Sequence, residues 1–362
     1  MATSLRLPEP ELEPPAAEPF HLSEGWARCW AAAYGSGRPV EDGALRMELR
    51  EGRLGPLRFP LLASATNLQT CYFDSAGALP EDLPERLLAT GAEQAMIEWL
   101  AEDSGLLAAA RRWEGLVTVD PFAISPLADC RGGFESYLAR TGSTMRKYWK
   151  ACRRQVIEGP LDFSIVRGGP GLGALLGEMF ALEAQGWKGR DGSAILCSAA
   201  DSAFYTALAH EAAAAGALRI ALLREEGRLV AYEYCILGGE SVLALKVAYD
   251  ESRARLQPGH LLALMNIRDA CADPALGWYD MLGNGMGVAD YKRRFATDYR
   301  TLYRVRLFAP TAVGRLLHAL YRARPFAKAV RERARALGRR SARTKVAPRL
   351  KKAGSGSLHA KT

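Results

Sequence analysis

Between residues 218 and 295 three short apolar runs, 218–223, 229–237 and 242–249, are separated only by Glu226-Gly227 and Gly238-Gly239. Glycine-containing pairs at that spacing close hairpins, so the runs form an antiparallel meander. Pro258-Gly259 then opens a helix reaching about Cys271, followed by a strand at 278–282, a short helix at 290–295 and a strand at 301–308. Upstream lie a strand at 161–167 and helices at 172–186 and 200–215. This succession predicts a mixed, mostly antiparallel sheet flanked by helices, an α/β (α+β) chain.

The preceding segment is less regular. Strands are expected at 45–50, 54–61, 70–73 and 116–119, with a helix over 83–100 and turns at Pro121 and Ser125-Pro126. Residues 134–156 read as one or two helices with Arg146, Lys147, Lys150, Arg153 and Arg154 mostly on one side, stopped by Gly159-Pro160. A chain of 362 residues that is 49% hydrophobic and 24% charged has material for two cores. The boundaries read as a Pro/Glu-rich lead-in at 1–20, a first domain at 21–133, a second at 134–309, a basic amphipathic helix at 310–340 and a disordered basic tail at 341–362.

Charge is concentrated at the end. Residues 310–362 hold 15 Lys or Arg and one acid, Glu332, so this segment is +14 while the body is −6. Ala312, Leu316, Leu317, Leu320, Tyr321, Phe326 and Val330 form an apolar stripe among the arginines, suited either to packing on the body or to lying on an anionic membrane. No apolar run approaches the length of a membrane span, and the N-terminus lacks the pattern of a signal or transit peptide. The seven cysteines are scattered without a CxxC pair, and the five histidines lack metal-ligand spacing; they read as packed thiols, with no metal site and no disulfide framework. Walker, GxSxG and dinucleotide fingerprints are missing, and Gly168-Gly169-Pro170-Gly171 lacks the Lys-Ser/Thr ending of a phosphate loop.

Several short motifs punctuate the second segment: Glu183-x-x-x-Trp187-Lys188-Gly189, Phe204-Tyr205, Lys246-x-x-Tyr249-Asp250, Pro258-Gly259-x-Leu261-Leu262, Asp280-x-Leu282-Gly283 and Tyr291-Lys292-x-x-Phe295. In this order, and on this element succession, the chain resembles the GNAT acyltransferase superfamily, specifically its bacterial CelD-type acetyltransferase-like branch. That branch is similar to the Fem-type aminoacyltransferases, which are built from two GNAT-like domains. The resemblance implies two GNAT-like domains in tandem, the first degenerate, and an acyl donor lying between strand 242–249 and strand 278–282.

Acyl transfer of this kind needs positioning, a donor to the developing oxyanion, and a proton for the leaving group. The resemblance places acyl-CoA, without a metal, against Ala248, Tyr249, Arg253, Arg255, Gln257, Gly259 and His260, where a helix N-terminus would meet the pyrophosphate. The turn departs from the family pattern, because Pro258 removes one donor and His260 stands where a small residue is usual. Lys292 is the candidate for stabilising the oxyanion or holding a phosphate, and Tyr291 for protonating the leaving group. Glu233, a charge inside an apolar strand, is either the base for the amine or the ion-pair partner of Lys246. Glu183, Trp187, Lys188, Lys246, Asp280 and Gly283 would flank the acceptor.

The leading expectation is a cytoplasmic N-acyltransferase, free or peripheral at the inner face of the membrane, moving an acetyl or longer acyl group from acyl-CoA to an amine. The acceptor expected by analogy is a small molecule or glycan of envelope polysaccharide or lipid metabolism. Two alternatives stand beside it: Fem-type transfer from aminoacyl-tRNA, and a non-catalytic GNAT-like scaffold on an anionic membrane surface. DNA is not an expected partner.

Overall fold

The computed structural model describes residues 19–42, 45–75 and 79–324. In chain order, after a short turn at Phe20–Leu22, come α1 (Glu24–Tyr34), β1 (Arg38–Asp42), β2 (Leu45–Leu54), β3 (Leu57–Ser64), α2 (Leu83–Leu88), β4 (Gln94–Leu100), α3 (Gly105–Arg112) and β5 (Leu116–Asp129). The second half contains α4 (Gly133–Arg140), α5 (Ser143–Cys152), β6 (Leu161–Val166), α6 (Leu172–Gln185), α7 (Trp187–Arg190) and α8 (Ala199–Ala214). It continues with β7 (Leu218–Glu225), β8 (Arg228–Gly238), β9 (Ser241–Tyr249), α9 (Pro258–Ala272), β10 (Trp278–Asp280), α10 (Asp290–Phe295) and β11 (Asp298–Phe308). A last helix, α11, covers 312–324.

All eleven strands join one sheet in the order β1-β2-β3-β4-β11-β5-β10-β9-β8-β7-β6. Each half is a meander whose last strand is followed by a parallel neighbour, β4 beside β3 and β10 beside β9. The closing strands are exchanged: β5 of the first half pairs with β10, and β11 of the second half pairs with β4. Since β5 and β11 also pair with each other along their whole lengths, the halves share the middle of the sheet. Near the centre, α1, α6 and α8 cover one face over Tyr205, Tyr232 and Tyr234, and α4, α5 and α9 cover the other over Tyr137, Cys235 and Tyr279.

The second half follows the sequence expectation closely; the first does not. The expected helix over 83–100 stops at Leu88, because Gly91 at φ +87° turns the chain, and 94–100 is a strand. Lying between β3 and β11, β4 is buried on both faces, so its apolar residues lose the alternation that marks a half-exposed strand. Residues 70–73 join no ladder; the Thr70 hydroxyl accepts from the Asn67 N–H and the Asn67 side chain from the Gln69 N–H, and Cys71 and Tyr72 are buried beneath the sheet.

Neither proline turn forms, because β5 runs straight through Pro121 and Pro126. Pro121 adjoins a register shift against β11, and Pro126 sits one residue beyond the β5–β10 pairing, where a missing N–H leaves no ladder bond unmade. Helix α11 docks through Leu317 and Tyr321 on Phe59, Leu61 and Phe308, whereas Leu316 and Leu320 of the expected stripe face outward. Phe326, Val330 and the tail at 341–362 lie outside the described residues, as does the lead-in up to residue 18.

Candidate functional site

Strands β9 and β10 pair over only three residues, Ser241–Leu243 with Trp278–Asp280, and then part. On one side, a bulge at Leu245 shifts the β8–β9 register so that Ala244 faces Cys235 and Lys246 faces Tyr234, which bends β9 away. On the other, the chain leaving β10 follows β5: the Met281 N–H donates to the Pro126 carbonyl (3.1 Å) and the Ile124 N–H to the Gly285 carbonyl (3.0 Å). Gly283 is required for this approach, since a Cβ there would stand 1.9 Å from the Ile124 carbonyl oxygen. The result is a wedge walled by residues 244–249 and 281–287.

One wall carries Lys292. From α10 its Nζ donates to the carbonyls of Met281 and Leu282, both at 2.7 Å. The fully buried Asp280 fixes those carbonyls: its Oδ1 accepts from the Leu282 N–H (2.8 Å), which helps hold Leu282 at φ 50°. Asp280 is itself held from the first half, by the Tyr72 hydroxyl and by Ser125 Oγ at 2.5 Å, with Arg300 at 4.0 Å. Burial pushes the Asp280 carboxyl up against those bonds. Burial likewise lowers the Lys292 ammonium, whereas the charges of Asp280 and Glu233 favour keeping its proton.

The facing wall carries Lys188, whose Nζ donates to the Val247 carbonyl and to Glu183 Oε1, both at 2.7 Å. Glu183 is buried, and its other oxygen accepts from the Ile195 N–H (2.8 Å), so the carboxylate ties α6 to the loop before α8. Trp187 is half exposed, with its N–H on Glu251 at 2.6 Å. Lys246 lies on the α6–α8 face, its Nζ 5.2 Å from the Tyr205 ring centroid. Burial lowers its ammonium.

Glu233 points to the opposite face, which overturns the expected Glu233–Lys246 ion pair; the alternation of β8 separates them. Its carboxylate accepts from Asn266 Nδ2 (2.9 Å) and from the Tyr279 hydroxyl, and Asn266 in turn holds the buried Arg219. Burial raises the Glu233 carboxyl, and the Tyr279 and Asn266 bonds oppose that. Tyr291 is 42% exposed, and packing around its hydroxyl pushes it up to about 12, so it keeps its proton at neutral pH.

The turn before α9 does not fit a pyrophosphate. Gln257, at φ 53°, uses its carbonyl to accept the N–H groups of both His260 (2.9 Å) and Leu261 (3.2 Å), and Pro258 has none. Only Gly259 is left with an N–H to offer, beside Tyr249. Arg253 is paired with Glu225 at 2.7 Å, and Arg255 is exposed. His260 lies under Tyr148 of α5, ring centroids 4.9 Å apart, and burial lowers its pKa. Ala248 packs toward α6 and α8, Tyr249 toward α9. The expected cofactor residues therefore share a neighbourhood without forming an anion cradle.

Sequence reasoning missed Tyr72, Ser125 and Arg300, which converge on Asp280 across 208, 155 and 20 positions; no local pattern marks them. Arg219 carried the same signal as Glu233, a charge within an apolar strand, and went unremarked. Among the described residues no three His, Cys, Asp or Glu side chains group as a metal site, and no helix is long and apolar enough to cross a membrane.

The exchanged meanders and the wedge between parallel strands define a GNAT-like fold, built here from two halves on one sheet. Residues 141–293 match the family model described as an acetyltransferase (GNAT) domain. Among solved structures, the chain is similar to the C-terminal domain of a putative lysylphosphatidylglycerol synthetase from Agrobacterium fabrum, with 12% identity, 81% of this chain and 91% of that one covered, and TM-score 0.52. It is similar to FemX at 10% identity, with 82% and 93% covered and TM-score 0.52. It is also similar to L-PGS from Bacillus licheniformis at 10% identity, with 83% and 96% covered and TM-score 0.51. No curated protein sequence matches the chain.

Proposed function

We propose that this protein is an N-acyltransferase that joins an activated acyl group, held in the β9–β10 wedge, to an amine. The observation that carries this reading is the Lys292 ammonium, half-buried at the mouth of the wedge and aimed by the carbonyls of Met281 and Leu282. The amine nitrogen attacks the acyl carbonyl carbon, the oxyanion that forms is met by Lys292, and collapse expels the carrier's oxygen or sulfur, which takes up a proton. Both carboxylates nearest Lys292, Asp280 and Glu233, are already hydrogen-bonded. The amine in this reading sheds its proton to water, and the rate rises with pH until Lys292 deprotonates.

Two donors are each favoured by an observation. The match of 141–293 to an acetyltransferase model supports acyl-CoA, with the CelD-type branch and an envelope polysaccharide or lipid acceptor as its finer form. The closed turn at Gln257–His260 weighs against a donor gripped by its pyrophosphate. It favours one held elsewhere through phosphates, as aminoacyl-tRNA would be. Arg146, Lys147, Lys150 and Arg154 are exposed on α5 and the turn after it with no acidic partner among the described residues, and Arg294 of α10 joins them by donating to Tyr148 (2.9 Å). The FemX and synthetase-domain likenesses support the fold of such a transferase.

The test presents the full chain with an amine panel and either acyl-CoA thioesters of several lengths or a charged tRNA pool, reading acylated amine by mass spectrometry. Consumption of neither donor in the presence of any amine would refute the proposal. Arg146→Glu with Lys150→Glu separates the donors: tRNA use falls at least tenfold with a steep salt dependence, whereas thioester use is unchanged. Cytoplasmic placement with α11 and the basic segment after it against an anionic membrane belongs to the same proposal, supported by the outward-facing Leu316 and Leu320.

A further inference from the structure

Lys246 stands apart from the other two lysines of the wedge. Lys188 and Lys292 each have two oxygen acceptors, whereas Lys246 makes no hydrogen bond or ion pair to any described residue and is only partly exposed. Its Nζ lies over the face of Tyr205, whose hydroxyl is anchored on Gln69 Oε1 at 2.8 Å. The two carboxylates whose charges reach it are engaged elsewhere. Glu183 is used by Lys188 and the Ile195 N–H; Asp201 accepts from the Tyr34 hydroxyl (2.7 Å) and from Gln69 Nε2 (3.2 Å).

An ammonium withdrawn from water with no counter-ion is costly, and a chain that keeps one at a cleft gains only if something else supplies the charge. Rotation of Glu183 or Asp201 toward Lys246 would strand Lys188 or Tyr34, so among the described residues neither carboxylate is free to serve as its counter-ion. Lys246 lies one residue from Val247, whose carbonyl Lys188 caps, and so borders the wall that faces Lys292. A molecule anchored there reaches into the wedge from the α6–α8 face.

We propose that the amine acceptor is an anion, bound by Lys246 through a carboxylate or a phosphate while its amine enters the wedge. This rests on the N-acyltransferase reading and names the substrate class of the same site. The acceptor class is then an amino acid, an amino sugar acid or an aminoalkyl phosphate, and not a neutral amine or polyamine. Lys246 acts in binding and not in bond making, so its loss should weaken acceptor capture far more than turnover.

The experiment uses calorimetry on the full chain with matched probes: α-amino acids against their carboxamides, phosphoethanolamine against ethanolamine, and acetate and inorganic phosphate alone. Expected is at least tenfold tighter binding of one anionic series, and which series wins tells carboxylate from phosphate. Lys246→Met and Lys246→Gln should erase the preference and Lys246→Arg retain most of it, with thermal melts confirming that each variant folds. In the transfer assay Lys246→Met should raise KM for the anionic amine at least tenfold with kcat within about threefold. Equal binding of charged and neutral probes by the native chain, or a preference that survives Lys246→Met, overturns the proposal. Anion binding that depends on Lys246 without any acyl transfer would leave the anion site standing and remove the transferase reading; transfer with equal KM values for both members of a pair would do the reverse.

Discussion

Replacing Lys292 by Met keeps the hydrocarbon stem and removes only the ammonium that the carbonyls of Met281 and Leu282 hold at 2.7 Å. If that ammonium meets the oxyanion, its loss is comparable to removing one oxyanion-hole donor, about 3 kcal/mol, or on the order of 100- to 1,000-fold in kcat. The two carbonyls lose a charged partner, yet they border an open wedge where water can replace it, so the stability cost should stay at about 1–2 kcal/mol. The assay is single-turnover acyl transfer at saturating amine, with a denaturant melt on the same preparation. Lys292→Arg adds a control through pH. Burial lowers the lysine's pKa, so the native rate should fall on the alkaline side as the ammonium is lost, whereas a guanidinium stays charged and moves that limb upward. A folded Lys292→Met protein with kcat within fivefold of native would refute the reasoning, as would an alkaline limb unmoved in Lys292→Arg.

Three further outcomes follow from packing and charge. His21 is buried beside Tyr72, and burial, with Arg300, lowers it from 6.5 to about 4. The folded state thus binds fewer protons than the unfolded chain between those values, so stability is fully present above about pH 6.5 and falls as pH drops toward 4, by about 3 kcal/mol in all. Urea melts of His21→Phe should lack this part of the acid slope; identical slopes would contradict it. Gly283→Ala drives a Cβ to 1.9 Å from a backbone oxygen and should cost about 3 kcal/mol and most transfer activity, measured by melt and turnover. Leu317→Ala should cost about 3 kcal/mol by melt because Leu317 is buried between α11 and the sheet, whereas Leu316→Ala should change stability by less than about 0.5 kcal/mol.

The second half was legible because its signals are local. The hairpin turns at Glu226-Gly227 and at Gly239-Glu240, one residue on from the expected Gly238-Gly239, and Pro258 at a helix start depend on neighbours a few positions apart. The first half hid β4 and the passage of β5 through two prolines, since a strand's place in a sheet decides whether it alternates and whether a missing N–H matters. The same division runs through the wedge. Lys292 and Asp280 stood out within short motifs of the second half, yet nothing local showed that Tyr72 and Ser125 of the first half hold Asp280.

By itself the chain determined the order of the second half's elements, the uneven charge and the short list of polar residues stranded in apolar strands, because backbone conformation and turn chemistry are set within about ten residues. The exchange of β5 and β11 was decided only in three dimensions, as were the closing of the turn before α9 by the Gln257 carbonyl and the Arg253–Glu225 pair, and the separation of Glu233 from Lys246. The strand exchange and the Arg253–Glu225 pair join groups far apart in sequence, and packing across the sheet settles which of them meet.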